Sequence, residues 1–165
     1  MRSPLVFIKR LRRYSRKAIS AMKWKIECSQ PINEELRDVI LDKIEEGTFC
    51  AADLRDYFTV FTQLCNNTED IQDEVEGYNR KFLFKFDGEP AAWLKIEDLK
   101  FEMGEGEIDS PDITLDMGEL LAVDVFAGHV DPTAAYMSGE LKVDGIIIDA
   151  LLFRTLLDLV QEELE

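Results

Sequence analysis

A chain of 165 residues, 46% apolar and 32% charged, is long enough for one packed domain and too short for two ordinary ones, so one core plus a tail is expected. Its formal charge of −15 opposes binding to nucleic acid and other polyanions. Cys28, Cys50 and Cys65 are odd in number and hold no C-x-x-C pair, which indicates neither a disulfide framework nor a zinc site and fits a reducing compartment.

The charge is divided along the chain. Residues 1–30 carry nine Lys and Arg against the single acid Glu27, a balance of +8, leaving −23 for residues 31–165. Two parts are therefore expected, a basic N-terminal segment (1–30) and a folded body (31–165). In the segment, Phe7, Ile8, Leu11, Tyr14, Ala18 and Met22 recur at helical spacing, with Lys9, Arg10, Arg12, Arg13, Arg16 and Lys17 between them. A basic amphipathic helix of this kind fits attachment to an anionic membrane surface. The same Arg-rich, acid-poor residues also fit an organelle transit peptide, or a loose tail drawn to the acidic body. The cluster Leu5–Ile8 is too short to be a secretory core, and no run is long enough to span a bilayer. A cytoplasmic protein, with peripheral membrane association as an option, is the expectation.

In the body, Asn33 caps an expected helix with Glu34 and Glu35 in its first turn, Leu36, Val39, Ile40 and Ile44 on one face, and Gly47 as its stop. Leu54, Tyr57, Phe58, Phe61, Leu64 and Cys65 form the aromatic-rich stripe of a second helix. Thr68 caps a short third, with Ile71, Val75 and Tyr78 inward. The period then changes from about 3.6 to 2. Phe82, Phe84 and Phe86 alternate with Leu83 and Lys85 before a turn with Asp87, Gly88 and Pro90, and Ala92, Leu94 and Ile96 share a face of the returning strand. A third strand over residues 100–105 carries Phe101 and Met103; a fourth after Pro111 places Ile113, Leu115 and Met117 inward.

Residues 118–127 read as a well-buried helix ending at Gly128. Asp131, Pro132 and Gly139 bracket a short helix as cap, first turn and stop. Leu141 and Val143 make a fifth strand stopped by Gly145. A terminal helix from about 146 to 163 is apolar over a wide arc that includes Ile148, Leu151, Leu152, Leu156, Leu159 and Val160.

Catalytic chemistry finds little support. The one histidine, His129, lies in a Gly-containing turn, where solvated histidines are common. Cys50 and Cys65 lie on or beside the apolar stripe and are expected to pack as small hydrophobes. Asp109, Asp112 and Asp116 lack the spacing and Gly of a calcium loop, and Gly104-Glu105-Gly106 precedes no Lys-bearing helix that would make it a phosphate cradle. No cofactor or metal is expected. Apolar periodicity alone does not separate a filled core from one hollowed for a ligand.

The segment from Phe84 to about Val160 resembles the lipid-transfer domain of sterol carrier protein type 2. The residues that carry the likeness are Phe84-Lys85-Phe86-Asp87-Gly88, Trp93-Leu94-Lys95-Ile96, Asp112-Ile113-Thr114-Leu115, Gly128 with Asp131-Pro132, and Ser138-Gly139-Glu140-Leu141-Lys142-Val143-Asp144-Gly145. With the helices from Asn33 to Tyr78, which look like the family's N-terminal portion, the likeness covers about four fifths of the chain. It implies an α+β domain: a five-stranded mixed, mostly antiparallel sheet covered on one face by helices, enclosing an apolar tunnel. The implied ligand is a sterol, fatty acid, fatty acyl-CoA or similar lipid, and no chemistry is implied. Inward apolar positions expected to line the tunnel are Phe84, Leu94, Met103, Leu115, Leu121, Val125, Phe126, Met137, Ile148, Leu152 and Leu156, with Phe126 and Met137 near its mouth. The helix over 132–138 and the terminal helix are expected to gate it. Peroxisomal relatives end in a Ser-Lys-Leu-type address, whereas this sequence ends Glu162-Glu163-Leu164-Glu165, so peroxisomal import is not expected.

Two other readings stay open at the sequence level. One is a ligand-free membrane- or protein-interaction module with a filled core; the other is a lipid thioester hydrolase using Cys50 or His129. Nothing in the pattern fixes an oligomeric state.

Overall fold

The computed structural model describes residues 31–165, and the basic segment with its expected amphipathic helix lies outside the described residues. Helix α1 (Glu34–Glu45) starts where the Asn33 side chain accepts from Leu36 N at 3.1 Å. A 3₁₀ turn (Ala51–Asp53) leads into α2 (Leu54–Asn67), whose stripe of Leu54, Tyr57, Val60, Phe61, Leu64 and Cys65 is buried. Short α3 (Glu69–Glu74) follows Thr68, which holds the cap position without a side-chain cap bond.

The strands are β1 (Arg80–Phe86), β2 (Glu89–Glu97), β3 (Lys100–Glu105), β4 (Ile113–Met117) and β5 (Lys142–Asp144). They form one sheet in the order β3-β2-β1-β4-β5, with β1 and β4 parallel and every other pair antiparallel. Asp87 and Gly88, at φ +53° and +81°, make the two-residue turn between β1 and β2. Pro90 belongs to β2, not to that turn as the sequence suggests. It lies beyond the ladder with β3, which begins at Ala92, so β3 needs no N–H there. The parallel pairing is fixed at Asp112, whose carboxylate accepts from Lys81 N at 2.8 Å and whose own N–H donates to Lys81 O.

The period-2 pattern sends Phe82, Phe84, Ala92, Leu94, Ile96, Ile113, Leu115 and Met117 into the core. Helix α2 reaches edge strand β3 through Asn66, whose amide donates to Phe101 O at 3.0 Å and accepts from Phe101 N at 2.9 Å. Helices α4 (Glu119–Phe126), α5 (Pro132–Ser138) and α6 (Ile147–Leu164) complete the cover. At the centre Phe126 touches Tyr57, Phe58, Phe84 and Phe153, with ring centroids 5.1 to 6.1 Å apart. The α+β class, the strand count and the mixed sheet agree with the sequence expectation.

Candidate functional site

Helix α5 is bounded by residue chemistry at both ends. Asp131 caps it by accepting from Thr133 N at 2.9 Å, Pro132 opens it, and Gly139 closes it at φ +82°. With only Ala135 buried, this two-turn helix leaves its larger side chains to neighbours or to solvent. The neighbour is α6, and between them lies an apolar cleft of about 40 Å³. Tyr136 from α5, Leu141 and Val143 from around β5, Ile147, Leu151 and Phe153 from α6, and Leu115 from β4 line it.

Polar contacts hold α6 in place on both sides of the cleft. Arg154 Nε lies 3.1 Å from Asp131 Oδ1, joining α6 to the cap of α5. At the start of α6, buried Asp149 accepts from Tyr78 Oη at 2.8 Å and from Arg80 Nε at 3.3 Å. Burial first, and then the bond to Asp149, push the Tyr78 hydroxyl pKa well above the ordinary phenol range. Tyr78 therefore stays a neutral donor.

Around the cleft the surface is unusually apolar. Met137 is 81% exposed and Ile148 71%, and Tyr136, Ile146, Ile147 and Leu151 are also exposed. Exposed apolar residues gathered in one region mark contact or binding surfaces, whereas single ones scattered over a surface need no explanation.

The residues expected to line a tunnel separate into three groups. Phe84, Leu94, Leu115, Val125, Phe126 and Leu156 are buried in one cluster, and Met103, Leu121 and Leu152 pack against it partly buried. Met137 and Ile148 do not point inward. Met137 lies two residues beyond the one buried position of α5, and the buried stripe of α6 runs through Asp149, Phe153, Leu156, Leu157, Val160 and Leu164, which turns Ile148 outward. Phe126, expected near the mouth, is 1% exposed at the centre of the core. Sequence reasoning missed Tyr136, Phe153 and Arg154 in the cleft and the buried role of Asp149.

Cys65 is buried as expected, and burial pushes its thiol pKa well up. Cys50 is exposed, contrary to the core position expected of it. It precedes the 3₁₀ turn, where its N–H and thiol both donate to the Asp53 carboxylate. His129 is half exposed, with Nδ1 3.8 Å from Asp124 Oδ1. Among the described residues no three His, Cys, Asp or Glu gather as a metal set, and no helix is long and apolar enough to cross a membrane.

Comparison with known proteins places this architecture. The profile of the SCP-2 sterol transfer family matches residues 61–158. Among solved structures, the ubiquinone synthesis protein UbiJ-SCP2 is similar over 67% of this chain and 94% of its own, at 16% identity and a TM-score of 0.53. A sterol carrier protein 2 is similar over 64% of this chain and 94% of its own, at 16% identity and a TM-score of 0.52. The sec-alkylsulfatase Pisa1 from Pseudomonas sp. also matches, at 18% identity and a TM-score of 0.48 over 59% of this chain, which spans only 16% of that enzyme. No curated protein sequence matches. The two structures with the higher scores share the fold, the family profile covers more than half of the sequence, and the chain belongs to the SCP-2 sterol transfer family.

Proposed function

We propose that this chain is a non-catalytic carrier that holds a sterol, fatty-acyl or similar apolar ligand between sheet and helices, admitted at the cleft between α5 and α6. Family membership supports lipid binding or transfer in general. The observation that carries the finer reading is an apolar cleft opening among exposed apolar side chains, between two helices and lined by Phe153, which contacts the aromatic core. The eleven positions named from the sequence are proposed as ligand contacts in two roles. Nine surround the bound ligand, and Met137 and Ile148 meet it only as it passes the mouth.

The driving force is ordinary. Each buried methylene gains about 0.8 kcal/mol, so a dozen gain on the order of 10 kcal/mol before the cost of ordering the ligand. The cleft, at about 40 Å³, is far smaller than the 300–1,000 Å³ of a typical small-molecule site. A lipid entering at this cleft therefore separates α5 from α6 and shifts the rings behind it. The exposed apolar residues around the cleft favour a second reading, a ligand-free interaction module that uses that surface.

Protein purified natively and extracted with organic solvent is expected to release lipid detectable by mass spectrometry. Fatty-acid loading is expected to change amide hydrogen exchange in α5 and α6. No lipid in the extract, together with no uptake of a fluorescent fatty acid, leaves the interaction module as the surviving reading. Turnover of a lipid thioester that is lost on replacing Cys50 and His129 with alanine replaces both with a hydrolase.

A further inference from the structure

Tyr57 is the polar exception in the aromatic core. Its ring is enclosed by Phe49, Phe58, Phe61 and Phe126 at centroid distances of 5.4 to 6.2 Å, and the residue is 1% exposed. Its hydroxyl is covered completely and has no hydrogen-bond partner among the described residues. Phenylalanine would fill the same space without desolvating a hydroxyl, so tyrosine here carries a cost in the unloaded protein. Arg37 Nε is also buried and unpaired, but that side chain is one-third exposed and another of its nitrogens lies 3.5 Å from Asp38. Tyr57 has no such outlet.

Its position connects it to the cleft. Phe153, which lines the cleft, contacts Phe126 at 6.1 Å, and Phe126 contacts Tyr57 at 5.4 Å. A chain displacing rings along this line reaches Tyr57, whose hydroxyl is buried and unpartnered. A charged group arriving there would be stripped of water among phenyl rings, which is far costlier than burying a neutral oxygen.

We propose that Tyr57 anchors the buried end of the ligand, and that this end carries a neutral oxygen: a hydroxyl, a ketone or an ester carbonyl. The proposal rests on the carrier reading and narrows it. A sterol-like or long-chain alcohol or ketone is bound oxygen-first, whereas a fatty acid would keep its carboxylate at the mouth and ignore Tyr57.

The test uses one hydrocarbon length with four ends: hexadecane, 1-hexadecanol, 2-hexadecanone and palmitate, partitioned from phosphatidylcholine vesicles onto the full chain and its Tyr57→Phe variant. One hydrogen bond predicts that the native chain prefers the alcohol and ketone over hexadecane by about tenfold. In Tyr57→Phe that preference disappears, hexadecane and palmitate bind as before, and the unloaded variant melts higher. The ring is retained, so the variant is expected to fold. Equal preferences in both proteins overturn the proposal, as does a higher melting point with no change in lipid selectivity, which reduces Tyr57 to a packing residue. Palmitate binding that falls in the variant overturns the neutral-oxygen assignment. No binding of any probe by either protein refutes the carrier reading itself, so the two failures are distinguishable.

Discussion

Gly104 shows how far a single residue constrains the sheet. It sits on β3 opposite Trp93 of β2, and a Cβ built there would lie 2.5 Å from the indole ring. The indole covers this stretch of β3 on the face away from the core, so glycine is fixed by close approach. Gly104→Ala is expected to destabilise the fold by about 1–3 kcal/mol through overpacking. Adding Trp93→Ala should recover most of that loss, because the clash partner is gone. Urea unfolding of the two single variants and the double variant checks the cycle, and additive losses would remove the steric explanation. Asp149 illustrates the opposite case, a charged residue turned inward. Spacing alone puts an Asp next to Ile148 on the solvent side; Tyr78 and Arg80 reverse that by satisfying its carboxylate, and the whole face of α6 is rotated relative to its apolar pattern. Neither partner is near Asp149 in sequence, which is why Ile148 was expected inside.

Between elements, the buried stripes and the glycine stops were legible from periodicity because each rests on neighbours within a turn or two. Other joints depend on distant groups and were not. The turn between β2 and β3 uses Asp98 and Leu99 at φ +50° and +66°, a conformation that leucine disfavours, and Asn79 braces it by accepting from Asp98 N at 2.9 Å. The apolar neighbours of Cys50 suggest a core position, yet it works as the cap of the 3₁₀ turn, with Asp53. Asp53 in turn pairs with Lys43, tying α1 to the start of α2. The hydrogen bond from Lys43, ahead of opposing desolvation, holds the Asp53 carboxyl below its ordinary 3.8, and the same bond raises Lys43 above 10.5. A lowered acid stabilises the fold fully above its unfolded value and loses that contribution as pH falls through the folded one; a raised base does so in the other direction, at alkaline pH. The pair therefore contributes between about pH 4 and pH 10. Asp53→Asn is expected to be less stable near neutrality and to lose less stability than the native chain as pH falls below 4. Parallel unfolding curves for the two proteins through the acid range would count against the pair as the source of that loss.

At the scale of the whole molecule, the fold was readable and the site only half so. A filled and a hollow core use the same apolar residues, and the sequence carries no mark of where helices part. The structure supplies that mark by leaving Met137, Ile146, Ile147, Ile148 and Leu151 exposed on the two elements that border one cleft. If a ligand passes through that cleft, rate and affinity should respond to different residues. Met137 and Ile148 are exposed and outside the core, so Met137→Glu with Ile148→Glu should change folding stability by no more than about 0.5 kcal/mol per site. Uptake of a fluorescent neutral lipid from vesicles should nevertheless slow by roughly tenfold, because the apolar surface that first receives the chain now carries charge. Release should slow in step, since a ligand that leaves must cross the same mouth, and equilibrium affinity should then stay nearly constant. Uptake that is unchanged in a folded double variant would move the point of admission elsewhere on the molecule. A lost affinity with unchanged rates of approach would instead make these side chains part of the bound state.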